Sequence, residues 1–374
     1  MDIRASVSAV TRRVPFMSLV PGPDADAVSE AMRRVVERGW FVLGPEVDAF
    51  EEEFAAASGA AHAVGVGNGT DALALALRAM GIGAGDEVIT SPLSAAFSAL
   101  AIMMAGATPV FADIDPDRLT IDPSAAAAAV TSRTAAIMPV HLYGQPADMS
   151  ALSQLAHRRN LAILEDACQA HFATCAGRPV GAFGAAAAFS FYPTKNLGAF
   201  GDGGAIVTND AAFADKVKRL RNGGQAGKYH HVEFGVNSRL DDLQAAILRA
   251  RLPFMAGWTA RRRALAGLYR TELSAARGVT VPPACDPGHV YHLFPVLSRS
   301  RESLQAHLAG AGIGTLVHYP TALHQQAAFA ASAADCPVAA RVAGQVLSLP
   351  LHPHLSDTDA RLVAESVRAF VPND

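Results

Sequence analysis

The sequence predicts an α/β protein: a large, mostly parallel β-sheet flanked by helices, followed by a smaller C-terminal α+β domain. Three observations carry that prediction. Short apolar runs alternate with helix-period segments over residues 62–165, the pattern of a parallel sheet covered on both faces. After Asn209 the alternation stops and long helical segments take over. A double proline, Pro282-Pro283, then precedes a separate set of strand and helix patterns. With 374 residues, 51% of them hydrophobic, the chain can bury cores of that size, and two domains suit its length. The large domain is expected over 1–250 and the small one over 251–374.

Residues 1–22 read as a loosely held arm. A first helix is expected over 24–38, with Asp24 near its start and Gly39 as its stop, and a second over 45–57, opened by Pro45-Glu46 and ended by Gly59. The loop between them, Trp40-Phe41-Val42-Leu43-Gly44, is aromatic and apolar; taken alone it is either a buried staple or part of a site. Strands are expected at 62–66, 87–90, 109–112, 135–140 and 161–165, with helices at 70–80, 94–104, 123–130 and 149–159 between them. Two further strands, 185–191 and 205–208, flank a turn rich in small residues. A helix at 210–220 leads into the polar stretch 221–231. Residues 239–276 read as largely helical, interrupted at Pro253 and Gly257. Beyond Pro282-Pro283 come a strand at 290–297 and helices at 301–310 and 357–370. In an open parallel sheet the ligand crevice lies outside the carboxyl ends of the strands, and the motifs that carry chemistry fall there.

Composition excludes several classes of function. The formal net charge is −3, which calls for no nucleic-acid partner. The one dense basic cluster, Arg261-Arg262-Arg263, reads as a solvated helix face. Cys168, Cys175, Cys285 and Cys336 form no CxxC pair and are too few and too scattered for a disulfide framework. Reduced thiols in a cytoplasm fit them. The N-terminal residues lack a continuous apolar segment, so no signal peptide is expected. No stretch of about 18 uninterrupted apolar residues is present to span a membrane. His230, His231, His352 and His354 are closely spaced, but no acid completes a metal set, so no metal is expected.

Ser190-Phe-Tyr-Pro-Thr-Lys195-Asn-Leu-Gly198 ends an apolar strand at a proline and delivers one lysine. Taken alone, such a lysine is either a surface turn residue, as most lysines are, or a nucleophile whose amine is tuned by burial. Upstream, Leu161-Ala-Ile-Leu-Glu165-Asp166-Ala-Cys-Gln169 is a second apolar run that ends in an acid. A carboxylate at the end of a buried strand is costly unless a cation partners it, and a protonated pyridine nitrogen is such a cation. Schiff-base lysine plus ring-nitrogen aspartate is the pair that pyridoxal phosphate needs. Gly65-Val-Gly-Asn-Gly69-Thr70-Asp71 links a strand to a helix and supplies free N–H groups for a phosphate. It is neither a dinucleotide fingerprint, which needs glycine where Thr70 stands, nor a P-loop.

With these motifs, together with Gly201-Asp-Gly-Gly204 and Gly235-Val-Asn237-Ser-Arg239-Leu-Asp-Asp-Leu-Gln244, the chain resembles the DegT/DnrJ/EryC1/StrS family of sugar aminotransferases. The resemblance runs from about Phe41 to the C-terminus and implies the fold-type I architecture of pyridoxal phosphate (PLP) enzymes. It implies that Lys195 is the cofactor-bearing catalytic residue, that Asp166 holds the pyridine nitrogen and that Gln169 contacts the ring hydroxyl. Gly69, Thr70 and Ser190 then hold the phosphate, and Asn237 reaches the phosphate of the neighbouring subunit, making the protein a homodimer with shared sites. One departure stands out: many relatives stack an aromatic ring on the cofactor from the segment after the second strand. The matching position here is about Ala95, with Phe97 two residues on.

The resemblance also bears on the substrate. Tyr192 in the lysine motif, Leu220-Arg-Asn-Gly-Gly224 and Thr315-Leu-Val-His318-Tyr319-Pro320 resemble enzymes that aminate C3 of nucleotide-linked deoxysugars, which places Tyr192, His318 and Tyr319 around the hexose. As isolated residues, Tyr192 is equally a core aromatic and His318 a satisfied core histidine. The implied reaction moves an amino group, with L-glutamate as donor, to C3 of a dTDP-linked keto sugar. A C4 aminotransferase is the nearest alternative. A sugar dehydratase of the same scaffold is opposed by Lys195, where such enzymes carry histidine. A non-catalytic PLP-binding regulator is opposed by the presence of both Lys195 and Asp166.

Overall fold

The computed structural model describes residues 13–332 and 334–372. Its centre is a seven-stranded sheet built from β1 (His62–Val66), β2 (Glu87–Thr90), β3 (Thr108–Phe111), β4 (Thr134–Met138), β5 (Ala162–Asp166), β8 (Ala186–Ser190) and β9 (Gly204–Thr208), in the order β1-β9-β8-β5-β4-β2-β3. The run from β3 to β8 is parallel, and only β9 lies antiparallel to its neighbours β8 and β1. Between β5 and β8 sits a short hairpin, β6 (Thr174–Cys175) and β7 (Arg178–Pro179). A second one, β10 (Gln225–Gly227) and β11 (His230–His231), occupies the polar stretch that carried no strand signal.

Burial on both sheet faces explains why these strands read as continuous apolar runs rather than as alternating ones. Along β8, Ala186 and Ala188 join the core beneath α3 (Gly69–Ala79), whereas Ala187 and Phe189 join the opposite core beneath α2 (Pro45–Ser58). Helix α1 (Ala25–Arg38) lies outside α2, against α8 (Asp242–Arg251). Helix α4 (Phe97–Met104) begins later than its sequence suggests, because residues 91–96 form the irregular segment that leaves β2. α5 (Pro123–Ala128), α6 (Met149–Arg159) and α7 (Ala211–Leu220) complete the layers.

The C-terminal part is organised on the antiparallel pair β12 (Phe294–Leu297) and β13 (Val346–Leu349), covered by α9 (Met255–Glu272), α10 (Arg301–Gly310) and α12 (Asp357–Ala369). Helix α11 (Pro337–Gln345) leads directly into β13. The expected break at Gly257 does not occur: that glycine lies inside α9, and only Leu252–Phe254 tightens into a 3-10 turn around Pro253. The strand expected at 290–297 is confined to its last four residues.

Of the N-terminal arm, residues 1–12 lie outside the described residues. Where it is described, the arm is tied down. Val14 is 1% exposed in the core of α9, α10 and α12, its N–H donates to Gly312 O at 3.0 Å, and its carbonyl accepts from Gly314 N at 2.9 Å. An apolar side chain with a buried slot and two backbone partners fixes this part of the arm.

Candidate active site

Successive residues of a strand point to opposite faces, and β5 ends by separating two carboxylates. Glu165 is fully buried and accepts from the backbone N–H groups of Gly181 (2.9 Å), Phe183 (2.9 Å) and Gly184 (3.1 Å). His141 Nδ1 accepts from Ala147 N, so its Nε2 carries the proton that faces Glu165 Oε2 at 3.2 Å. Glu165 is thereby fully occupied in holding the loop that leads back into β8. Asp166, 5% exposed, accepts from Ser98 Oγ at 2.6 Å and from Cys168 N at 3.1 Å. No lysine or arginine forms an ion pair with it among the described residues. A buried carboxylate held in no direct ion pair suits an external cation.

β5 and β8 run in parallel with Asp166 opposite Ala188, so the turn after β8 starts just beyond the aspartate. Lys195 sits in that turn, its N–H bonded to Tyr192 O at 2.8 Å, with its side chain half-buried. Burial pushes its amine below the ordinary lysine range, and the Cys168 thiol and the Asp166 carboxylate pull in the opposite direction. Burial and the same aspartate push the Cys168 thiol upward, against the Lys195 charge, so the sulfur is a packing group rather than a thiolate.

Between β1 and α3 the chain passes closely over β8. A Cβ on Gly69 would lie 2.8 Å from both Cys168 Sγ and Ser190 Cβ, and one on Gly204 would lie 2.4 Å from the Asn68 carbonyl. Those two glycines let the start of α3 sit against Ser190. The first N–H groups of a helix have no partner within it. Asn68 Oδ1 takes the one of Asp71 at 2.8 Å, leaving those of Gly69 and Thr70 at a positive helix end. Ser238 Oγ fastens the turn by accepting from Gly67 N at 3.0 Å and donating to Asp71 Oδ2 at 2.6 Å.

Gln169, 6% exposed, accepts from Tyr143 N at 2.8 Å and donates to Tyr319 Oη at 3.2 Å. The Tyr143 hydroxyl donates to the His318 carbonyl. His318 Nδ1 pairs with Ser348 Oγ at 2.9 Å, and its ring stacks on Phe16 at 5.7 Å. Burial, with the Lys195 charge adding to it, lowers the His318 pKa to about 4, so the ring is neutral. Burial raises Tyr319 to about 12 and keeps it a phenol. Of the residues the sequence names, Asp166 and His318 are coupled to Lys195 by charge, and Tyr319, bonded to Gln169, is coupled to Asp166.

Other expected residues stand apart. Tyr192 is 51% exposed. Asn237 is exposed and forms a backbone bridge with Asn222. Trp40 and Phe41 are more than half and half exposed, so their loop is no buried staple. Ala95 is half-buried in the segment before α4, and Phe97, at 61% exposure, opens that helix toward solvent. Sequence reasoning passed over Ser98, Tyr143 and Asn196. The spacing of Ser94 and Ser98, which meet at 3.1 Å on one side of the segment, is the signal that would have marked Ser98. Tyr143 takes a left-handed backbone with φ 59°, which no local motif announces. Among the described residues no cluster of His, Cys, Asp and Glu is placed to hold a metal ion, and no helix is long and apolar enough to cross a membrane.

An unpaired buried carboxylate, a lysine with a lowered pKa and a glycine-cleared helix start thus converge on one crevice at the carboxyl ends of β1, β5 and β8. The set fits PLP: a carboxylate for the ring nitrogen, an amine for the aldehyde and helix N–H groups for the phosphate. The model of the DegT/DnrJ/EryC1/StrS aminotransferase family matches residues 24–368. The chain belongs to that family. It is therefore an aminotransferase that depends on pyridoxal phosphate. Over 376 residues, 98% of each chain, it is 48% identical to the dTDP-3-amino-3,4,6-trideoxy-alpha-D-glucose transaminase of Streptomyces venezuelae. The crystal structure of DesV from S. venezuelae with a ketimine intermediate superposes with a TM-score of 0.92 at 47% identity, covering 96% of this chain and 98% of that one. NtdA from Bacillus subtilis with bound PMP superposes with a TM-score of 0.89 at 31% identity, covering 95% and 84%. The fold-type I architecture expected from the motifs is the one observed.

Proposed function

We propose that the protein transfers an amino group from L-glutamate to C3 of a dTDP-linked 3-keto-deoxysugar, at the crevice around Lys195. The observation that carries the reading is the convergence of Asp166 and Lys195 at the ends of adjacent parallel strands, beside Gly69 and Ser190. When bound, pyridoxal phosphate supplies an electron sink for the carbon that gains or loses the amine. Asp166, oriented by Ser98 and Cys168 N, holds the pyridine nitrogen protonated. The N–H groups of Gly69 and Thr70 and the Ser190 hydroxyl hold the phosphate. Gln169 contacts the ring hydroxyl. Lys195 bears the cofactor and its Nζ removes and returns the proton at the amine-bearing carbon, a role that the lowered pKa of its amine supports.

Tyr192, His318 and Tyr319 line the hexose side. Their support is the neutral, hydrogen-bonded state of His318 and Tyr319 beside Gln169, together with the C3-amino sugar in the name of the Streptomyces venezuelae relative. Two chains share each site, with Asn237 of one reaching the phosphate held by the other. In support, α4 leaves Phe97, Met103 and Met104 exposed, and an apolar helix face of that kind marks an interface. The four cysteines are unpaired, which suits a cytoplasmic enzyme. Incubating the protein with 2-oxoglutarate and either a 3-amino or a 4-amino dTDP-deoxysugar tests the regiochemistry. Faster consumption of the 3-amino sugar is expected; preference for the 4-amino sugar makes the enzyme a C4 aminotransferase.

A further inference from the structure

Asn196 follows the lysine and is 5% exposed. Its Nδ2 donates to Val290 O at 3.1 Å, which turns its Oδ1 toward His292 Nδ1 at 3.3 Å. With an acceptor on that side, the proton of the neutral His292 ring sits on Nδ1 and is donated to Asn196. His292 is 4% exposed. Burial first, then the Lys195 and Arg262 charges with His318 and His171, hold its ring neutral. From behind, the buried Arg262 of α9 donates to the carbonyls of Tyr291 (3.2 Å), His292 (3.2 Å) and Leu351 (2.9 Å). Residues 290–292 are thus gripped by the lysine turn on one side and by α9 on the other, immediately before β12.

We propose that Asn196 is a positioning residue: its paired hydrogen bonds to Val290 and His292 fix the Lys195 turn relative to the C-terminal part that carries His318 and Tyr319. Lys195 stands on a turn of the large sheet, whereas His318 is held by Ser348 of β13. A flexible turn needs a fixed point if its side chain is to meet groups presented by another core. An amide that donates and accepts at once, with both partners on one short segment, fixes both distance and rotation. The inference rests on the assignment of Lys195 as the cofactor-bearing lysine.

The test uses the full-length, cofactor-loaded protein and three variants: Asn196→Ala, His292→Asn, whose amide nitrogen takes the place of Nδ1, and His292→Gln, whose amide does not. Asn196→Ala is expected to lower kcat by about tenfold or more, since small displacements at a reacting centre are costly, with KM changed less than about threefold. The midpoint of the pH titration of the bound cofactor's visible absorbance is expected to move by about half a unit or more, because that midpoint reports the surroundings of the Lys195 nitrogen. His292→Asn should stay near wild type in both measurements and His292→Gln should follow Asn196→Ala. An unchanged titration and kcat in Asn196→Ala overturn the proposal, whatever its melting temperature. Should that variant fail to fold, equal behaviour of the two His292 variants overturns it instead. Borohydride reduction and peptide mapping of each variant separate the two readings: a label away from Lys195 rejects the lysine assignment, while a label on Lys195 with titration and kcat both unmoved rejects the Asn196 role alone.

Discussion

Asp166 and Glu165 are one residue apart and have opposite fates because a strand turns successive side chains to opposite faces. Glu165 meets three backbone N–H groups and a histidine; Asp166 meets a serine hydroxyl and one N–H group, and no lysine or arginine forms a direct ion pair with it among the described residues. The sequence marks both as acids at a buried strand end and cannot say which is satisfied, because the partners of Glu165 lie in a loop whose course depends on the hairpin β6–β7. Family motifs resolve the choice where local chemistry does not. For function, Asp166→Asn is expected to keep part of the cofactor binding while transamination falls by orders of magnitude, since a neutral side chain no longer favours a protonated ring nitrogen. Ser98→Ala, which removes one hydrogen bond to the carboxylate, is expected to lose only about tenfold. Single-turnover rates on cofactor-saturated protein check both, and near-normal turnover of Asp166→Asn contradicts the assignment.

At the scale of elements, the sheet was legible because its strands are apolar on both faces and its helices carry clear caps and stops. The two short hairpins were not, since two- and three-residue strands generate no periodicity. Nor was α11, whose nine residues follow an alanine-rich stretch with little pattern. The start of α3 shows what an element contributes to the site. Gly69 has no unusual φ, so the helix itself would accept alanine, but the added Cβ would meet Ser190 and Cys168 at 2.8 Å. Gly69→Ala is therefore expected to push α3 away from β8 and weaken PLP binding by about tenfold or more, a loss of one or two hydrogen bonds to a charged group, while the protein remains folded. Equilibrium dialysis of the cofactor, with circular dichroism as the control for folding, measures the effect; unaltered affinity removes Gly69 from the phosphate site.

At the scale of the whole molecule, Asn237 and Tyr192 are exposed, and in the proposed shared site a second chain covers them. Mixing an Asn237→Ala chain with a Lys195→Ala chain is expected to restore activity, because one of the two hybrid sites has both residues intact. Mixed dimers that form and stay inactive contradict the shared site. The change from alternating strands and helices to mainly helical segments was legible after Asn209, where α7, α8 and α9 follow. The attachment of Val14 to the C-terminal core was not, since nothing in the mixed sequence of the arm singles that residue out. All of these readings depend on one lysine. Reducing the cofactor-loaded protein with borohydride and mapping its peptides tests it most directly: the account predicts a pyridoxyl group on Lys195, and a label on any other lysine contradicts it.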